Sequence, residues 1–357
     1  MKTNTQRSIL SVAALAFILL ISNIPAHAKK ISIKLATAAP VNNITLTSIE
    51  GDGLSSEHTI SVIFKRNVEV RSNGEIEVKI FPNSQLGSEK ELWQSTQEGI
   101  IQMTTASCGA LANFVPEWLA FTTPYLYDSP YVMAKVLQGP VGQKFKELVI
   151  QKIGVRILGE SFLGFRHFMN SVKPIHSPSD THGLKIRVME TPEMVKLVEG
   201  LGGQAVPIDW AELYTALQQK VVDGWENSFA MIIQSKTYEV QKYLVTDGHT
   251  NNVLPLSINE KFFQSLSPDH RRIIIESASE AITAFQGSLA IGNTLWVDEL
   301  KKRGIEIYTP TPQEMQKFRD LSQKAVIPYV VSQIGQEWVD EVANAVKQAE
   351  KEYYEGK

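Results

Sequence analysis

GLKIRVMETPEMVKLVEGLGGQAVPIDWAELYTALQQKVVDGWEN, residues 183 to 227, carries the pattern that decides the fold. Leu184, Ile186 and Val188 alternate with Lys185 and Arg187, the period-two pattern of a strand with one buried face. Thr191 can cap a helix and Pro192 can open it, and Met194, Leu197, Val198 and Leu201 then recur at helical spacing. Gly202 and Gly203 end that helix, and Gln204 to Pro207 returns as a second strand. Asp209 with Glu212 three residues on predicts a capping box, opening a helix that buries Trp210, Leu213, Tyr214, Leu217 and Val221. Strands alternating with helices predict a parallel sheet covered on both faces. Arg187 falls at the carboxyl end of its strand, where open α/β sheets bind ligands.

The chain outward from this unit repeats its logic. Met1 to Ala28 has a basic start (Lys2, Arg7), an apolar run from Ile9 to Ile21 and a small-x-small site at Ala26-His27-Ala28, and it reads as a secretory signal peptide. Ile31, Ile33 and Leu35 predict a first strand. Ala36 to Glu57 reads as a polar insertion, in which Asn43-Ile44-Thr45 matches a glycosylation sequon by coincidence. Ile60, Ile63, Phe64 and Val68 predict a helix, Ile76, Val78 and Ile80 a strand, Ser88 with Glu91 a capping box, and Ile100 to Thr105 a third strand. Ser129-Pro130 starts a helix that Gly139-Pro140 breaks, and Val155 to Leu158 begins another strand. Gly164-Phe165-Arg166 follows at a crossover between two lobes. Ser267-Pro268 opens a helix reaching about Arg303, with Gly287 as the place for a kink. Thr311, Pro312 and Glu314 start another helix, which Gly335 separates from the last.

Composition narrows the function classes. The formal charge of −3 becomes −5 once Lys2 and Arg7 are removed, and there is no basic run, so nucleic acid is not an expected partner. The one cysteine, Cys108, excludes an internal disulfide and reads as a small core residue. Neither a metalloprotease motif nor a phosphate-binding loop occurs, and Gly159-Glu160-Ser161 lacks the closing glycine of a nucleophile elbow. Seven histidines are scattered, and His167 and His176 read as surface or supporting groups. No enzyme activity, cofactor or metal is expected.

Arg166, Arg187 and Asn227 form the candidate ligand site. Arginine offers a planar fork of donors that matches a carboxylate, and asparagine an amide that donates and accepts. On residues alone, Arg187 could equally be a surface arginine paired with Glu190.

GLKIRV, YTALQQ (214–219) and DGWEN (223–227) resemble the signature block of the DctP-like solute-binding proteins of tripartite ATP-independent periplasmic (TRAP) transporters. The resemblance extends to FPNSQLG (81–87), LANFVPE (111–117), YEVQKY (238–243) and the Asn259 to Phe263 segment. It implies an α/β periplasmic-binding-protein fold with a ligand cleft between two lobes and a long helix spanning both. Lobe I would comprise 29–163 and 253–292, and lobe II 164–252 and 293–357. Arg187 would be the main carboxylate ligand, with Arg166 and Asn227 supporting it. Trp210 stands where relatives often carry phenylalanine and Trp225 where glutamine is common, so both are candidates to touch ligand. Together with Arg187 they favour a monocarboxylate with a flat or apolar body over a polyhydroxylated sugar acid. The implied function is a periplasmic, monomeric protein that delivers an organic carboxylate to a TRAP membrane permease. A ligand sensor or an enzyme on the same two-lobe scaffold is the competing reading.

Overall fold

The computed structural model describes residues 30–41 and 56–355. The predicted signal peptide, the sequon and most of the polar insertion lie outside them. The first half of the chain runs β1 (Ile31–Thr37), α1 (Ser56–Arg71), β2 (Ile76–Phe81), α2 (Glu89–Gln97), β3 (Met103–Thr105), α3 (Cys108–Leu111), α4 (Pro130–Gln138) and α5 (Pro140–Ile153). The middle comprises β4 (Val155–Asn170), β5 (Lys185–Val188), α6 (Pro192–Leu201), β6 (Gln204–Pro207), α7 (Leu213–Gln218), β7 (Gly224–Asn227), α8 (Phe229–Gln234) and β8 (Tyr243–Asn259). The remainder is α9 (Glu260–Ser265), α10 (Pro268–Lys302), β9 (Glu306–Tyr308), α11 (Pro312–Ile334) and α12 (Gln336–Glu355). None of these helices is long and apolar enough to cross a membrane.

The strands form one mixed sheet in the order β2-β1-β3-β8-β4-β7-β5-β6, with β9 paired to β8. Two parallel trios, β2-β1-β3 and β7-β5-β6, sit at its two ends. In each the chain leaves the middle strand first to one side and then to the other, which creates a switch point at the strands' carboxyl ends. The antiparallel pair β4 and β8 joins the trios. These two strands are 16 and 17 residues long, enough to run from one half into the other. The crossover expected at Gly164-Phe165-Arg166 therefore lies inside a strand. Its register against β8 shifts at Phe162/Gly164 and again at Arg166/Phe168, and Gly164 has φ +115°, a conformation side chains disfavour.

Both faces of the sheet are covered. Adjacent strand residues enter opposite apolar clusters: Phe168, Val245 and Val253 one, Met169, Leu244 and Leu254 the other. The first cluster packs α2 to α6, α11 and α12, and the second packs α1 and α7 to α10. Both draw on the two trios, so the core runs continuously beneath the joint.

Several local predictions match the structure. Ser88 and Thr311 form the capping boxes, and α10 starts at Pro268 and continues unbroken through Gly287. Others need correction. Asp209 accepts from the Ala211 amide at 2.9 Å and opens a 3-10 turn over Trp210–Glu212 instead of a capping box. The helix after it ends at Gln218, so Val221 is exposed. The third strand covers only Met103–Thr105, and Ile100 ahead of it is solvent-facing.

Candidate functional site

The carboxyl ends of the two parallel trios face one cavity, part of it open to solvent. Its walls carry Glu89 from the start of α2, Ser107 from the loop after β3, Arg166 from β4, Arg187 and Met189 from the end of β5, Asn227 from the end of β7 and Asn252 from β8. Arg166, Arg187 and Asn227, 61 residues apart in sequence at most, thus meet around one space.

Arg187 is 2% exposed. Its Nε donates to the Ile208 carbonyl at 2.8 Å, which fixes the plane of the guanidinium. Among the described residues its two Nη groups have no hydrogen-bond partner, and there is no pair with Glu190. Burial lowers its pKa to about 10, with Glu226 pulling the other way. It stays charged at neutral pH, and a guanidinium with both Nη groups open has the geometry that two parallel bonds to an anion need.

Arg166 is held differently. Its Nη2 donates to Glu226 Oε1 at 2.7 Å and to the Glu226 carbonyl at 3.0 Å, while its Nε donates to Oε2. Glu226 also meets His249 Nε2 at 3.2 Å, His249 Nδ1 meets Asp247 at 2.7 Å, and Tyr125 donates to the same Asp247 oxygen at 3.2 Å. Burial alone would raise the Glu226 carboxyl, but Arg166 and His249 outweigh it and bring its pKa to about 2. Burial would lower His249, but Asp247 and Glu226 overcome it and raise its pKa to about 9. Two cations and two anions therefore neutralise one another beneath the cavity, where β4, β7 and β8 meet.

Asn227 Oδ1 accepts from the Ser228 amide and from Asn252 Nδ2, both at 2.8 Å. Those bonds fix the amide's orientation and leave its Nδ2 donors toward the cavity. Opposite them, both Glu89 oxygens accept from Ser107, at 2.8 Å from its amide and 2.7 Å from its hydroxyl.

The two tryptophans separate. Trp210 is half-buried and lines the cavity. Trp225 is fully buried behind it, their ring centroids 6.1 Å apart, and it is not part of the lining. Trp225 lies one pleat deeper on β7 than Asn227, in the apolar cluster with Leu213 and Leu217. Cys108 is buried, as expected of a core residue. His167 accepts from the Gly248 amide at 3.0 Å, and burial lowers its pKa to about 4. His176 is exposed against the Tyr308 ring. Glu89, Ser107, Met189, Asn252, Glu226 and His249 are the residues that sequence reasoning missed. Glu226 stood in plain view inside the DGWEN motif.

The profile of the bacterial extracellular solute-binding proteins, family 7 (DctP), matches residues 51–331. The chain belongs to this family. Family 7 proteins serve TRAP transporters by binding small organic acids and working with a membrane permease. A solute-binding protein of Verminephrobacter eiseniae is 32% identical over 68% of this chain and 72% of its own length. The crystal structure of the sugar acid binding protein DctPAm from Advenella mimigardefordensis, in complex with galactonate, matches with a TM-score of 0.82. It is 30% identical and covers 90% of this solute-binding protein and 99% of that chain. A TRAP periplasmic solute-binding protein from Polaromonas sp. JS666, bound to D-erythronate, matches with a TM-score of 0.79 at 28% identity, covering 88% and 98% of the two chains. The two-lobed architecture of these structures is the one this solute-binding protein adopts.

Proposed function

We propose that this solute-binding protein works in the periplasm as a monomer, captures an organic carboxylate on Arg187 and delivers it to a TRAP membrane permease without chemical turnover. The observation that carries the reading is the open guanidinium fork of Arg187. A buried, charged arginine whose Nη groups lack protein partners is costly unless an anion completes it. Asn227 Nδ2 adds donors beside it, and the Arg166–Glu226 pair keeps the second arginine from competing for the same anion. Trp210 supplies one apolar wall, whereas Trp225 supports that wall from behind.

The division into lobes 29–163 with 253–292 and 164–252 with 293–357 would put the joint in β4, β8 and α10. The two register shifts between Phe162 and Phe168 supply the local irregularity about which the lobes would close on ligand. The related structures support the ligand class, since galactonate and D-erythronate are both hydroxylated carboxylates. Mass spectrometry of small molecules retained through native purification tests the reading. It should find an organic acid released on denaturation. Recovery of a neutral or cationic compound in its place would refute it.

A further inference from the structure

A second, small space adjoins the Arg187 cavity and shares Ser107, Arg166, Met189 and Asn252 with it. Its remaining walls include Glu193 from the first turn of α6, and Thr250 and Asn251 from β8. Glu193 is 4% exposed and Asn251 6%. Glu193 Oε2 and Asn251 Oδ1 are both buried, and neither has a hydrogen-bond partner among the described residues. Asn251 cannot relieve this by flipping its amide, because its Nδ2 donates to the Phe121 carbonyl at 2.7 Å. Two unmatched acceptors therefore border a small space whose other walls include the apolar Trp118, Met194 and Val253, whereas the neighbouring cavity presents unmatched donors on Arg187 and Asn227.

We infer that Glu193 and Asn251 form a second subsite, which accepts hydrogen bonds from hydroxyl groups on the far end of a carboxylate whose carboxyl is held by Arg187. This rests on the reading of Arg187 given above and extends it to the ligand's other end. Donors at one end and acceptors at the other are complementary to a polyhydroxylated acid, and an alkyl acid of the same length would leave both acceptors desolvated and unpaired. A site built to bond a hydroxyl rejects an analogue lacking it strongly, for that reason. A flat or apolar body, the expectation drawn from Trp210 and Trp225, would leave these two acceptors unused, and of the two tryptophans only Trp210 lines the cavity.

Met189 lies between the two spaces. Its Cε packs against Gly109, where a Cβ would come within 2.3 Å of it. Its unbranched thioether can change rotamer when a ligand extends past it. Burial raises the Glu193 carboxyl to a pKa of about 7, against the pull of its own backbone amide, the Thr191 hydroxyl and Arg166.

The test compares D-galactonate with hexanoate by calorimetry on the parent and on Glu193→Met, with the melting temperature of each protein measured without ligand. The parent should favour galactonate at least tenfold. Glu193→Met should lose at least tenfold in galactonate affinity, keep its hexanoate affinity, and melt no lower than the parent. If Glu193→Met does not fold, Glu193→Gln should shift the preference in the same direction. Hexanoate bound as tightly as galactonate, or galactonate affinity unchanged in the variant, would overturn the subsite. A variant that loses affinity for both acids and melts lower would also overturn it, by showing a purely structural role. Failure of the Arg187 reading would look different, as no carboxylate of any kind bound by the parent.

Discussion

Replacing Glu226 with glutamine keeps the shape of the side chain and removes the charge at the centre of the buried network. Arg166 and His249 would then face one neutral oxygen and one NH2 group, and the network would carry a net positive charge in a site with no exposure. Two routes give the size of the effect. The Glu226 pKa lies at about 2 against an ordinary 4.5, a difference equivalent to about 3 kcal/mol. Removing one partner of a buried pair costs on the order of 3–5 kcal/mol in general. The melting temperature should accordingly fall by about 5–10 °C. The dependence on pH supplies a signature. A depressed carboxyl stabilises the fold above pH 4.5 and loses that contribution as pH falls from 4.5 toward 2. The raised imidazole of His249 stabilises below pH 6.5 and loses its contribution as pH rises through 9. The two describe one coupled network, so their contributions are not summed. Urea denaturation of parent and Glu226→Gln across this range should show the largest gap near pH 5–6, closing toward pH 2. A variant within 1 kcal/mol of the parent at pH 6 would refute the reasoning.

The tryptophans should part company in the same kind of comparison. Trp210→Ala should weaken carboxylate binding several-fold with a modest loss of stability, measured by calorimetry and thermal melting. Trp225→Ala empties a fully buried site and should cost about 3–5 kcal/mol in denaturation. Equal losses of affinity and stability in the two variants would contradict their separation into wall and core.

Much of the fold was legible because its signals are local. Pro192, Gly202 and Gly203 mark boundaries within a few residues of the strand at Gln204 to Pro207, and the structure places α6 and β6 on them. Arg187 was legible for a related reason: strand parity and position put it at a carboxyl end before any contact was known. The network beneath the cavity was not. Glu226 meets Arg166 across 60 residues and His249 across 23, and no periodicity records a pairing made by strands of different origin. The same holds for Glu193, which in sequence is one more acidic residue in a helix's first turn. Trp225 misled because it lies one pleat deeper along β7 than Asn227, a depth that strand parity cannot express. The joint between halves was legible as a glycine near an arginine, but its placement within an unbroken strand depends on the length of β4 and its pairing with β8. Gly224 shows how such packing enters the motif: a Cβ there would lie 2.2 Å from the Met169 carbonyl oxygen, so the glycine of DGWEN is required by the neighbouring strand's backbone.

The central claim is that the open fork of Arg187 holds the ligand's carboxyl group. Calorimetric titration of the parent, Arg187→Ala and Arg187→Lys with the carboxylate retained on native purification tests it most directly. Removing one side of a buried charge pair costs about 2–5 kcal/mol, so Arg187→Ala should bind at least tenfold more weakly. Arg187→Lys should also lose most of the affinity, since a point charge cannot form the two parallel bonds. Binding by either variant with the parent's affinity would contradict the claim.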